Sequence, residues 1–288
     1  MNIQQDYKLE VNLAEINERL ATIKVDLATL HIPEVFKKCF SSIDLTTLNV
    51  TDTLRKGEKM AKSVSDFSKN FKDLPNVAAI CVYPSLVNVV RRTLKDDKVK
   101  IASVAAGFPS SQTFIDIKIS ECIMAIENGA DEIDIVISLG SFLSGDYDTV
   151  SAEIARIKDA IENTHLKVIL ETGALPDLSA IRLASLLAME AGADFIKTST
   201  GKIEPAATPE TALIMVDAIG DYYKHTGRKV GFKPAGGIST TSDAVLYYAI
   251  VSCVLGEEWI TPELFRIGAS RLANNLLTDI TGLTAQYF

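Results

Sequence analysis

The chain of 288 residues is short of several things, and each shortage excludes something. Its four cysteines, Cys39, Cys81, Cys122 and Cys253, lie far apart with no C-x-x-C pair, so neither a disulfide framework nor a zinc ribbon is indicated. They read as reduced thiols. No apolar stretch approaches the ~20 residues that cross a bilayer, and the opening MNIQQDYKLE lacks the basic start and apolar run of a signal peptide. These absences predict a cytoplasmic protein with no membrane partner. There is no Lys/Arg run either, and 29 basic residues against 37 acidic ones give a formal charge of −8. Nucleic-acid binding draws its affinity from clustered positive charge, so no nucleic-acid partner is expected. G-x-G-x-x-G, G-x-x-x-x-G-K-[ST] and G-x-S-x-G are all missing, and Ile203 after Gly201-Lys202 spoils a Walker motif.

What is present is an ordinary globular composition, 47% hydrophobic and 23% charged, patterned with unusual regularity. Short apolar, β-branched runs start at residues 43, 76, 100, 132, 167, 194, 229 and 264, a mean spacing of about 32 that suits a βαβ unit. Helical periodicity fills the gaps, as in TALIMVDAIGDYY from 211 and SDAVLYYAIVSCVL from 242. Eight such units in about 250 residues predict an α/β fold, the (β/α)8 TIM barrel. A doubly wound sheet is the rival, but it seldom needs eight units so evenly spaced. The barrel is assigned residues 41–288, leaving 1–40 as an N-terminal helical extension. In the extension, apolar residues at 13, 16, 20, 23, 27 and 30 make a narrow helical seam that Pro33 should end. That seam either lies against the barrel or serves a homo-oligomer, with a dimer as the expected state.

The predicted barrel interior carries charge. In strand four, Ile133, Ile135 and Ile137 form one apolar face, which turns Glu132, Asp134 and Val136 towards the barrel axis. Lys197 shares a face with Phe195 and Ser199 in strand six, and Lys233 shares one with Gly231 in strand seven. Two buried lysines and an aspartate need a reason to be inside, because an unpaired buried charge costs several kcal/mol. A packing ion pair would need only one lysine. A second lysine has a chemical use, since a neighbouring cation and partial desolvation lower the pKa of an amine towards the range where it is a nucleophile. Alternation alone leaves open which lysine reacts. The histidines offer nothing comparable, for His31 lies in the extension, while His165 and His225 fall just before strands five and seven. Barrel chemistry sits at the opposite face, so no metal is expected.

Two glycine-bearing turns complete the pattern. Gly236-Gly237-Ile238 follows strand seven and Gly268-Ala269-Ser270 follows strand eight, where barrels bind phosphate on backbone N–H groups at helix N-termini. A phosphorylated small molecule is therefore the expected ligand.

Together, DLTTLN from 44, VAAICVYP from 77, GADEIDIVI from 129, KVILETG from 167, GADFIKTSTGK from 191, VGFKPAGGI from 230 and FRIGAS from 265 resemble deoxyribose-phosphate aldolase, over about residues 42 to 277. The resemblance implies a class I, Schiff-base lyase that uses no metal or cofactor and reversibly cleaves 2-deoxyribose 5-phosphate to glyceraldehyde 3-phosphate and acetaldehyde, in deoxyribonucleotide breakdown. It implies Lys197 as the Schiff-base nucleophile, Lys233 as the second lysine that lowers its pKa, and Asp134 as the proton-transfer carboxylate. Asp44 and Cys81 take substrate-pocket roles, with a plain buried thiol as the other reading of Cys81. Gly201, Lys202, Gly236, Gly237 and Ser270 would hold the phosphate. Three positions depart from the family pattern: Ser111 stands for a glycine, Ser239 for an arginine, and Arg271 for a small hydroxyl residue. Tyr287 could correspond to a tail tyrosine that helps proton transfer in some members, or belong to a disordered end. An isomerase on the same barrel would not need a covalent lysine, and a passive sugar-binding protein would not need Lys197, Lys233 and Asp134 together.

Overall fold

Every one of the eight apolar runs overlaps a strand in the structure, a computed structural model that describes residues 3–288. The strands are β1 Ile43–Thr46, β2 Ala79–Val82, β3 Lys100–Val104, β4 Glu132–Val136, β5 His165–Ile169, β6 Phe195–Lys197, β7 Gly231–Lys233 and β8 Ile267–Ala269. All are parallel, in the order β7-β6-β5-β4-β3-β2-β1-β8. Two isolated parallel bridges, Phe232 to Phe265 and Ala235 to Gly268, join β7 to the β8 segment and close the ring. The fold is a (β/α)8 barrel. His165 opens β5 rather than preceding it, and it sits at the end of the barrel away from the strand C-termini.

The crossover helices exist because each presents an apolar stripe to the outward strand faces. In β4, Ile133 and Ile135 belong to the main hydrophobic core with Val150, Ile154, Ile157 and Ile161 of helix Tyr147–Ile161. Helix starts are specified locally. Thr208 caps helix Pro209–Thr226, with Pro209 at its first position, and Thr240 caps helix Thr241–Leu255, each in a reciprocal capping box.

The chain before β1 forms helices Ile3–Asp6, Leu13–Val25, Leu27–Leu30 and Pro33–Ser41. The middle of the predicted seam is spent inside the chain: Ile16, Leu20 and Ile23 are buried, Leu27 and Leu30 are partly buried, Leu13 is exposed, and helix Leu13–Val25 lies on helices Pro209–Thr226 and Thr241–Leu255. Pro33 corrects the sequence expectation. The seam breaks at Asp26 and again at His31, and Pro33 is the first residue of the next helix, where its missing N–H needs no partner.

The C-terminal tail is packed rather than loose. The Tyr287 hydroxyl donates to the Ser63 carbonyl (2.9 Å) and accepts from Asn70 Nδ2 (3.1 Å), its ring meets Phe67 and Phe71 edge-on, and the backbone N–H groups of Tyr287 and Phe288 donate to Asn274 Oδ1. Tyr287 is therefore docked on helix Leu54–Asn70.

Candidate active site

Alternation along the strands brings seven charged side chains into one buried cluster. They are Asp44 from β1, Glu132 and Asp134 from β4, Lys167 from β5, Lys197 from β6, Lys233 from β7, and Arg266 just ahead of β8, and all are buried. Asp134 is the hub. Its Oδ2 accepts from Lys197 Nζ and from Lys233 Nζ, each at 2.8 Å, and its Oδ1 accepts from Lys167 Nζ at 3.2 Å. Lys233 also donates to Asp44 Oδ2, and Lys167 to Glu132. Arg266 closes the network, donating to Asp44 Oδ1 at 2.6 Å and to the two Glu132 oxygens at 2.7 and 3.1 Å. In register, Asp134 stands beside Lys167, and Lys197 beside Lys233. Phe195 fills the axis below them, between the cations of Lys167 and Arg266, and a side chain at Gly231 would collide with its ring.

Three carboxylates thus face four cations, so one cation is in surplus. The partners decide which. Burial pulls the Lys233 ammonium down, but Asp134 and Asp44 outweigh it and hold Lys233 above the ordinary lysine range. Burial is likewise overcome at Lys167, by Asp134, Glu132 and Asp44. Lys197 goes the other way: burial, with the Lys233 charge beside it, exceeds the help of its single carboxylate Asp134 and lowers its pKa. Burial alone would raise Asp134, but Lys167, Lys197 and Lys233 hold it far below the usual carboxylate range, and Asp44 and Glu132 are lowered by their own cations. With Lys197 neutral, the cluster balances.

The exposed side of this cluster points the same way. A cavity of about 270 Å³ opens at the C-terminal strand ends, lined by Thr46, Leu48, Asn49, Lys197 and segments 200–202, 235–239 and 268–271. Among the described residues, Lys197 is the one member of the seven-charge cluster that lines it. A larger cavity of about 600 Å³ lies at the other end of the barrel, beside Lys100 and His165, and touches the cluster only through Glu132.

The structure gathers the proposed phosphate residues around the first cavity. Gly201, Lys202, Gly236, Gly237 and Ser270 all line it. Gly201, Gly236 and Gly237 have φ of +74°, +88° and +78°, and a Cβ on Gly236 would stand 2.6 Å from that of Ala206 and 3.3 Å from the Cα of Gly201. Only glycine allows that approach. Lys202 Nζ donates to the Leu48 carbonyl across the cavity. Helix Leu272–Thr281 begins here with no side-chain cap and no acidic residue in its first turn, which leaves its N–H groups free for an anion. Helix Thr241–Leu255 is closed by its own Asp243, which also accepts from the Ser239 N–H.

Asp44 and Cys81 lie elsewhere. Asp44 is wholly buried between Lys233 and Arg266, and Cys81 packs in a small apolar cluster with Leu48, Ala79, Ala102 and Val104, where burial raises its thiol pKa. Neither lines the cavity, and neither does Tyr287. Ser111, which stands where the resemblance expects a glycine, has a φ of +57°, and its buried hydroxyl has no hydrogen-bond partner. Sequence reasoning missed Lys167 and Arg266. Lys167 lies in a run whose residues are buried on both faces, so alternation gave little signal, and Arg266 sits one residue ahead of its strand.

The chain matches the description DeoC/LacD family aldolase over residues 39–253. It is 42% identical over 264 residues to deoxyribose-phosphate aldolases of Mus musculus and Homo sapiens, covering 87% of this chain and 83% of each relative. Among solved structures, the tetrameric deoxyribose phosphate aldolase of Aeropyrum pernix matches with a TM-score of 0.66 and 25% identity, over 93% of this chain and 98% of that one. The chain belongs to the DeoC/LacD aldolase family.

Proposed function

We propose that the protein is a class I aldolase that reversibly cleaves 2-deoxyribose 5-phosphate to glyceraldehyde 3-phosphate and acetaldehyde, with Lys197 as its Schiff-base residue. The observation that carries this reading is the surplus cation: Lys197 is the cluster's weakest-held ammonium and its one contact with the cavity. A lysine attacks a carbonyl only as the free amine. Here burial and the Lys233 charge supply that form nearer neutrality than an exposed lysine would.

Neutral Lys197 adds to the C1 aldehyde of the open-chain sugar, and loss of water leaves an iminium ion. The iminium draws electrons from the bond one carbon removed, C2–C3. That bond breaks as the C3 hydroxyl gives up its proton, so glyceraldehyde 3-phosphate departs and C1 and C2 remain as an enamine on Lys197. Protonation at C2 and hydrolysis then release acetaldehyde. Asp134, already bonded to Lys197, is placed to pass protons at the imine nitrogen and, through water, at the C3 hydroxyl. Lys233 keeps its charge throughout, fixed by Asp44 and Asp134. Gly201, Lys202, Gly236, Gly237 and Ser270 grip the phosphate, whose remote binding energy orients the reacting carbons. A dimer remains the working expectation for assembly, with its contact away from the buried seam of helix Leu13–Val25.

Borohydride trapping tests the assignment. With acetaldehyde present, reduction should fix one ethyl group per chain on Lys197, ahead of the exposed lysines that are almost wholly protonated at neutral pH. Lys197→Arg should abolish this fast labelling, since guanidinium offers no free amine. Fast labelling that survives in that variant would overturn the mechanism.

A further inference from the structure

We propose that Glu171 is a positioning residue for the phosphate-binding segment 200–202, acting through Thr200. This rests on the phosphate pocket of the preceding section and names a residue outside it. Glu171 lies two residues beyond β5, buried, yet among the described residues it has no cation partner, unlike Asp44, Glu132 and Asp134. Its carboxylate is spent on one residue. Oε1 accepts from the Thr200 N–H at 3.0 Å and Oε2 from the Thr200 hydroxyl.

Two donors on one residue call for two acceptors, which a carboxylate has and an amide lacks. The consequence runs on to the pocket. Because its hydrogen is committed to Glu171, the Thr200 hydroxyl turns its oxygen to the Lys202 N–H and accepts from it at 3.1 Å. This closes a turn around Gly201 and holds that residue against Gly236. On the other side, Thr198 Oγ1 both donates to the Ala235 carbonyl (3.1 Å) and accepts from the Ala235 N–H (3.0 Å). The segment bearing Gly201 and Lys202 is therefore slung between a β7-side anchor at Thr198 and a β5-side anchor at Glu171. Glu171 itself has φ of +54°, a region that non-glycine residues seldom enter, so its backbone is bent to bring the carboxylate to Thr200. Thr200 lines the cavity; Glu171 does not.

The test compares Glu171→Gln and Thr200→Val with wild type, measuring inhibition by inorganic phosphate and kcat/KM on 2-deoxyribose 5-phosphate and on unphosphorylated 2-deoxyribose. Each variant should weaken phosphate inhibition and shrink the preference for the phosphorylated sugar by about tenfold or more, the worth of a hydrogen bond to a charged group. The double variant should lose little beyond the worse single one, because both changes cut the same tether. Should Glu171→Gln not fold, Thr200→Val decides together with Thr200→Ser, which keeps the hydroxyl and should recover most of the preference. Unchanged phosphate inhibition, or equal losses on both sugars, would overturn the role of Glu171. A wild-type enzyme that neither feels phosphate nor prefers the phosphorylated sugar would instead sink the pocket reading on which it rests.

Discussion

Strands β2 and β3 turn Ala79, Cys81, Ala102 and Val104 into the barrel, all small or apolar, whereas the remaining strands turn in Asp44, Glu132, Asp134, Lys167, Lys197, Lys233 and Arg266. The first half offers no counter-charge. In the second half, burial weighs on every charge, and only the distribution of carboxylates decides which cations are held. Lys233 touches two of them and Lys167 comes within ion-pair range of three, but Lys197 has only Asp134. The same burial that a well-paired lysine withstands lowers the pKa of a poorly paired one.

Breaking that difference should give the largest effects. Lys197→Met and Lys233→Met should both lose cleavage, the first by at least about 10⁴-fold because no covalent route remains. Their stabilities should diverge. The folded state lowers the Lys197 pKa, so at any pH below the ordinary lysine value of about 10.4 folding works against its proton, and methionine removes that opposition while keeping the stem packed. Its melting temperature should hold or rise. Lys233→Met instead leaves Asp44 and Asp134 underpaired, which costs about 3–5 kcal/mol and on the order of 10 °C. In the residual activity of Lys233→Met, the alkaline requirement should move upward, since the amine of Lys197 loses the cation that disfavours its protonation. Thermal melts and a pH profile check all of this; equal melting shifts, or an unmoved profile, would contradict the division of labour.

How much of this could be read from the chain follows from the same two halves. Strand four announced its inward residues because three isoleucines marked the outward face, and shared parity with Phe195 and Gly231 set Lys197 and Lys233 on one face of their strands. Lys167 is embedded in a run that is apolar on both faces, as buried parallel strands are, so alternation there carries little information. Arg266 precedes its strand, and only ring closure by β7 and β8 brings it over Asp44 and Glu132. Alternation left open which lysine carries the surplus charge, because that depends on distances between strands far apart in sequence, and only the family resemblance pointed to Lys197. Pro33 was misread for a local reason, since a proline that stops one helix and a proline that starts the next look alike until the break is seen.

Asp134→Asn tests the hub. Asparagine keeps the shape but leaves three lysines facing a neutral group, and it cannot carry a proton. Cleavage should fall by about 10²–10⁴-fold, with borohydride trapping slowed less than turnover, since proton transfer at the enamine is the step most dependent on the carboxylate. Near-normal turnover would reduce Asp134 to a structural partner.

Next in size come Lys202→Ala and Ser270→Ala, which sit on the cavity but outside both interior halves. Each should lower kcat/KM on 2-deoxyribose 5-phosphate by about 10–100-fold, with a smaller loss on 2-deoxyribose, because only the phosphorylated sugar uses their contacts. Equal losses on the two substrates would place the phosphate elsewhere.

The smallest effect should come from the apolar half. Cys81 is fully buried, its thiol pKa is raised by burial, and it does not line the cavity, so its thiol is a poor nucleophile and its expected role is packing. Cys81→Ala removes one sulfur from a wall already built of small side chains. The expected cost is about 1 kcal/mol of stability for the space left behind, and less than about a threefold change in kcat/KM. Cys81→Asp would be a different matter, because a carboxylate there supplies Lys197 with the second partner it lacks and should push the alkaline requirement upward with the charged half intact. If alanine at this position abolished activity while the melting temperature held, the thiol would belong to the substrate pocket after all, and the apolar half would be more than an insulating wall.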